Sequence, residues 1–205
     1  MTDTYYSAIL EGFKKWAPFY DLFLLPFGGA RRAIVRAVSP GPGEKVLDVC
    51  TGTGTVALEL SRVGAQVTGI DLSEHMLRRA RRKKGAESVR FLKMDACEMM
   101  FSPKEFDTVT VSFGLHEMPL PVMQQVLREV SRVAKRRFVV IDYKRPESRL
   151  LARLYKRLIG LYEGPFFMAF LDLNLADVTA NEGFRLETRS TALLKTCQVL
   201  TFRIT

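Results

Sequence analysis

Between Val46 and Ala57 the chain reads Val-Leu-Asp-Val-Cys-Thr-Gly-Thr-Gly-Thr-Val-Ala, a buried-strand run that ends in an acid and turns through two glycines into a helix. Glycines in such a turn allow a tight reversal and let a ligand approach the backbone with no Cβ in the way, while the first N–H groups of the next helix stay free for a polar group. By spacing, Gly52-x-Gly54-x-x-Ala57 satisfies the dinucleotide fingerprint, and Asp71 follows at about the distance of a ribose-binding acid. Spacing alone therefore leaves the ligand open. Asp48, four residues before the first glycine, narrows it, because a carboxylate at the strand's end repels a pyrophosphate and attracts an ammonium group.

Further apolar runs, Val67–Ile70, Val89–Leu92 and Val109–Phe113, end in the same way beside an acid or a small polar residue, in alternating strand and helix order. This pattern predicts an α/β fold with a mostly parallel sheet whose ligands gather at the carboxyl ends of the strands. S-adenosylmethionine (SAM) carries an ammonium group and no phosphate, and so suits Asp48 better than a dinucleotide does.

The motifs VLDVCTGTG at 46–54, GIDLSEHML at 69–77, FLKMDACEM at 91–99, FDTVTVSFGLHEMP at 106–119 and VLREVSRVAKRRFVVIDYKRP at 126–146 together resemble class I SAM-dependent methyltransferases. Within that superfamily the chain is most similar to the ubiquinone/menaquinone C-methyltransferase (UbiE-like) group, over roughly Tyr20 to Asp142. The resemblance implies a Rossmann-like seven-stranded, mostly parallel sheet with helices on both faces, an antiparallel last strand and an N-terminal helical lid. It implies that Asp48 and the Gly52 and Gly54 backbone hold the methionine part of the cofactor, with Thr51 and Ser112 nearby. By the same resemblance Asp71 grips the ribose, Asp95 and Ala96 meet the adenine, and Leu72 and Met76 line the adenosine pocket.

Three departures from the family pattern stand out. Cys50 occupies a position where many members have glycine, which reads as a tight-packing choice. Ala134-Lys135-Arg136-Arg137 runs straight into Phe138–Ile141 where a Pro-Gly-Gly turn is usual. The long signature after the fifth strand of true quinone methyltransferases is missing, which leaves the acceptor open.

With 205 residues, 47% of them apolar, one domain is the economical reading: a lid over 1–40, a SAM-binding core over 41–145, and acceptor-side helices with C-terminal strands over 146–205. No apolar run approaches the roughly 18 residues that cross a bilayer, and Asp3 and Glu11 interrupt any signal-peptide pattern, so a cytoplasmic location is expected. Three dispersed cysteines and two histidines indicate neither a disulfide framework nor a metal site. The charge of +9 is concentrated at Arg78–Lys84 and at Lys135-Arg136-Arg137. Solvated helix faces explain these clusters more simply than nucleic acid or anionic lipid, since no stacking platform accompanies them.

In the lid, Tyr20-Asp21 resembles a Tyr-Asp pair near the methyl donor, which makes Tyr20 a candidate at the reacting centre, while Trp16 and Phe19 pack the lid. Residues 149–161 form a basic amphipathic pattern that suits either a helix packed on the sheet or peripheral contact with a membrane. The bulky run Phe166–Leu171 either walls an acceptor pocket or fills the core. Period-two alternation at 183–188 and 196–202 predicts a pair of antiparallel edge strands.

Methyl transfer from a sulfonium is an in-line displacement, so alignment in a dry site is the main requirement. An amine acceptor needs only to arrive neutral, whereas a phenolic oxygen or enol-like carbon must lose a proton to a base. His116, just past the fourth strand, is the well-placed candidate, with Glu117 as its possible orienter; a structural hydrogen bond is the competing role. His116-Glu117 does not begin an H-E-x-x-H zinc motif, because Leu120 stands where the second histidine belongs. His75, two residues after the helix cap Ser73, reads as a surface residue, and Asp142 either faces the pocket entrance or caps the next helix. The favoured acceptor is a small or lipophilic, quinol-like ring. A phospholipid amine, a soluble metabolite, a SAM-sensing or non-catalytic partner role and, outermost, a dehydrogenase are the alternatives.

Overall fold

The computed structural model describes residues 6–7, 11–12, 28–146, 166–193 and 195–205; Trp16, Phe19, Tyr20 and the 149–161 segment lie outside the described residues. Seven strands form one sheet: β1 (Lys45–Val49), β2 (Gln66–Asp71), β3 (Val89–Lys93), β4 (Phe106–Ser112), β5 (Ala134–Tyr143), β6 (Phe184–Ala192) and β7 (Cys197–Ile204). Their order is β3-β2-β1-β4-β5-β7-β6, with β1 to β5 parallel and β7 antiparallel to both neighbours. The expected mostly parallel seven-stranded sheet with one antiparallel strand is therefore present.

Among the described residues the α-helices around it include α1 (Gly28–Val38), α2 (Thr55–Arg62), α3 (Glu74–Ala80), α4 (Leu120–Val133), α5 (Phe167–Asp172) and α6 (Leu175–Ala180). Because β1-α2-β2-α3-β3 steps one way across the sheet and β4-α4-β5 the other, right-handed crossovers put α2 and α3 on one face and α4 on the opposite one. Burial explains the local choices. Four of the five β1 residues are buried, as a strand covered on both faces requires. In α4, Met123, Val126, Leu127 and Val130 recur at helical spacing and are all buried, each contributing about 2 kcal/mol of apolar burial. Ser73 caps α3 by accepting the Met76 N–H at 3.4 Å, as its position before the helix predicts.

Two boundaries differ from the sequence reading. The fourth strand starts at Phe106, not Val109, and stops at Ser112, because Phe113 takes a left-handed φ of 53° and leaves the sheet. The C-terminal pair is longer than its alternation indicates, and β7 is interior: Cys197–Phe202 are buried, between β5 and β6, and of the pair β6 alone is an edge strand. The connection from α4 to β5 has no intervening residue, so the missing Pro-Gly-Gly turn is replaced by direct entry at Ala134.

Candidate active site

The strand order reverses between β1 and β4, and the crevice outside their carboxyl ends is where an open α/β sheet receives a ligand. Two cavities lie there. The first is lined by Asp71, Leu72, Met76, Asp95 and Ala96, and the second by Asp48, Thr51, Thr53, Thr55 and Ser112. Cys50, Gly52 and Phe113 border both, so the two cavities form one bipartite cleft with a waist. Of the sequence candidates described, Gly54 and His116 line neither cavity.

Gly54 turns the chain. Its φ is +73°, its N–H donates to Thr51 O at 2.8 Å, and an added Cβ would lie 2.6 Å from Phe91 and 2.9 Å from Ala80. Gly52, with φ +55°, donates its N–H to Asp71 Oδ2 at 2.8 Å, while Ser73 N–H donates to Asp71 Oδ1 at 2.8 Å. Asp71 thus clamps the glycine turn to the end of β2. Burial raises its carboxyl to about 6 despite those two donors. Asp48, 1% exposed, accepts from Thr51 Oγ1 at 2.7 Å and Thr110 Oγ1 at 2.8 Å, and burial likewise lifts it to about 6. Asp95 accepts the Cys97 N–H at 2.8 Å. Its loop is pinned to α4, where Glu129 accepts the Met99 N–H at 2.7 Å and Arg132 donates to the Met99 and Phe101 carbonyls at 2.7 and 2.6 Å.

Cys50 has a φ of 56°, in the left-handed region that favours glycine, which gives the family's glycine preference its backbone reason. The tight packing expected of it is there too, against Gly114. Burial pushes the thiols of Cys50, Cys97 and Cys197 upward, the last to about 12, so none is poised as a thiolate. Among the described residues, no group of three or more His, Cys, Asp or Glu gathers as a metal site, and no helix is long and apolar enough to cross a membrane.

His116 is 3% exposed and sits in a one-turn 3-10 helix, Leu115–Glu117. Its Nδ1 lies 2.7 Å from Asp142 Oδ1, and its Nε2 lies 3.7 Å from Glu117 Oε1, a side chain that does border the first cavity. Asp142, fully buried, also accepts the N–H groups of Leu115, His116 and Tyr143. It lines neither cavity and caps the start of the 3-10 helix that carries His116; the residues after β5, where the capped helix was expected, lie largely outside the described ones. Tyr143, Phe167 and Phe170 pack edge-on around the imidazole.

Sequence reasoning passed over several cleft residues. Arg31 of α1, Thr53 and Phe113 line it, and Tyr6 borders the first cavity with its phenol pushed up by burial. For Arg31 a signal existed, since Ala30, Ile34 and Val38 mark the buried stripe of α1 and put Arg31 at its edge.

Fold and cleft together define a class I methyltransferase. Residues 46–137 match the family described as a methyltransferase domain. The demethylmenaquinone methyltransferase of Thermus thermophilus is 37% identical over 156 residues, which make up 70% of either chain. That of Clavibacter sepedonicus is 40% identical over 128 residues, 61% of this chain and 51% of its own length, so the chain spans about half of this relative. The magnesium protoporphyrin IX methyltransferase of Synechocystis, solved with bound S-adenosylhomocysteine (SAH), superposes with a TM-score of 0.76 at 19% identity, covering 97% of this chain and 99% of that one, which is a likeness of fold. The chain belongs to the UbiE-like family of class I SAM-dependent methyltransferases, with the demethylmenaquinone methyltransferases as its relatives.

Proposed function

We propose that the chain transfers a methyl group from SAM to a lipophilic acceptor, a quinol-like ring first. The bipartite cleft fits the cofactor on this chain's own atoms: a glycine turn that a Cβ at Gly54 would fill, and a buried Ser112 Oγ with no hydrogen-bond partner among the described residues. Asp71 would take the ribose hydroxyls, Asp95 and Ala96 the adenine between Leu72 and Met76, and Asp48, Thr51, Gly52 and Ser112 the methionine end. The cofactor supplies an electrophilic methyl on a sulfonium.

The observation that carries the acceptor reading is the 2.7 Å contact between His116 Nδ1 and Asp142 Oδ1. With the Nδ1 proton held by Asp142, Nε2 becomes the accepting nitrogen of the ring, on the side of Glu117, which borders the first cavity, and the carboxylate stabilises the imidazolium once a proton arrives. A quinol-like carbon or oxygen needs such a base, and an amine does not. The relatives' names, demethylmenaquinone methyltransferase, favour the same acceptor class. Tyr20 is retained in this proposal as a second group near the methyl donor. A cytoplasmic protein whose 149–161 segment meets the membrane surface suits a lipophilic acceptor.

Single-turnover transfer from labelled SAM to a demethylmenaquinol, phosphatidylethanolamine and a cell-metabolite extract tests the proposal. Label in the quinol, lost about a hundredfold or more in His116→Ala with SAH affinity unchanged, is the expected result. Equal turnover in His116→Ala removes the base, label in the amine alone redirects the acceptor, and no label with intact SAH binding leaves a sensor.

A further inference from the structure

Two buried polar atoms in the second cavity's lining residues have no hydrogen-bond partner among the described residues: Nε of Arg31 and Oγ of Ser112. One comes from α1 and the other from the end of β4, and both residues line the same cavity. Arg31 pairs loosely with Glu59, whose Oε1 lies 3.9 Å from Nε, too far for a hydrogen bond. The Arg31 side chain is a quarter exposed, yet its Nε is buried with no acceptor in hydrogen-bond range, a donor whose desolvation costs about 1–3 kcal/mol until one is supplied.

The surroundings point to an anion. Lys83 Nζ donates to Thr53 Oγ1 at 2.9 Å and to Thr55 Oγ1 at 2.8 Å, which brings a second cation to the N-terminal end of α2. Asp48, the carboxylate in the cavity, has its two oxygens engaged by Thr51 and Thr110 and does not reach out to Arg31 in any hydrogen bond or ion pair.

We infer that Arg31 recognises a carboxylate, that of the amino-acid end of SAM and SAH, and that Ser112 Oγ hydrogen-bonds the same end of the ligand. The inference rests on the SAM reading above and adds to it the residue that separates a complete cofactor from a bare nucleoside. Arg31 lies outside every motif of the glycine core, on the helix that precedes β1, so α1 becomes part of the binding site as well as of the core.

Calorimetric titration with SAH and with 5′-methylthioadenosine, which keeps the nucleoside and sulfur but lacks the amino-acid end, tests this on the wild type, Arg31→Met, Arg31→Lys and Ser112→Ala. Arg31→Met is expected to weaken SAH about ten- to hundredfold and to leave methylthioadenosine within about twofold, with Arg31→Lys recovering part of the loss. Ser112→Ala is expected to act in the same direction and less strongly. Equal losses for both ligands, or an unchanged SAH affinity in a folded Arg31→Met, overturn the inference. Should Arg31→Met not fold, Arg31→Lys carries the comparison on the same two ligands. A wild type that binds neither ligand overturns the SAM reading itself, a result distinguishable from a wild type that binds both without regard to Arg31.

Discussion

A Cβ added to Gly114 would lie 2.9 Å from the Cβ of Cys50 and 3.3 Å from its Sγ. The two residues therefore share one space at the waist of the cleft, and the larger side chain at 50 is compatible with the smaller one at 114. Gly114→Ala should destabilise the fold by about 1–3 kcal/mol through overpacking. Cys50→Gly, which also removes a left-handed non-glycine residue, should make the alanine tolerable, so the double variant should be more stable than Gly114→Ala alone. Urea unfolding of the four-member cycle measures the coupling; strict additivity would mean the contact is slack.

Asp142 accepts three backbone N–H groups besides the His116 ring, and an asparagine there presents an N–H₂ or loses a charge where donors converge. Asp142→Asn should lower stability by about 1–3 kcal/mol and reduce turnover at least a hundredfold by releasing the tautomer of His116. SAH affinity should remain within about threefold. Turnover that falls no further than the folded fraction does would reduce Asp142 to a structural residue.

Burial raises both Asp48 and Asp71 from 3.8 to about 6 in the folded chain. The folded state then holds protons that the unfolded chain releases, so this contribution to stability is full below about 3.8 and is lost as pH rises through about 6. Ligand-free protein should gain urea resistance from these groups between pH 7 and pH 5. Binding of an ammonium and of ribose hydroxyls needs the ionised forms, so SAH affinity should fall by about tenfold per pH unit per group below 6. Calorimetry in two buffers of different ionisation enthalpy should register proton release on binding at pH 5.5 and little at pH 8.

Gly54→Ala places a side chain at φ +73° with its Cβ against Phe91 and Ala80, two buried residues. The loss should be about 2–4 kcal/mol, from left-handed strain and overpacking together. Unfolding midpoint and SAH titration should fall in parallel; a folded variant with unaltered SAH binding would show that the turn is softer than its packing indicates.

Much of the fold was legible because buried parallel strands leave near-continuous apolar runs, and Val46–Val49, Val67–Ile70 and Val89–Leu92 each became a strand. The tail misled. Alternation at 196–202 reads as one wet face, yet β7 is covered on both sides, because its neighbours β5 and β6 and the layers beyond them come from distant chain positions. In the cleft, Asp71, Leu72, Met76, Asp95 and Ala96 were legible as motif residues and do share one cavity. Arg31 was legible only as the edge of an apolar stripe, since its place in the cleft depends on how α1 lies against the sheet.

The sequence by itself determined the strand and helix alternation, the glycine turn after β1 and the acids at the strand ends, all of which follow from local spacing and backbone freedom. Only the tertiary structure decided that Asp142 holds His116, that Cys50 and Gly114 share one space, and that Arg31 and Ser112 face one cavity. Those pairings join residues separated by 26, 64 and 81 positions in the chain. No local pattern encodes such a separation, because the contact exists only after the sheet has assembled and its low-dielectric interior has made an unpaired charge or a misplaced methyl group costly.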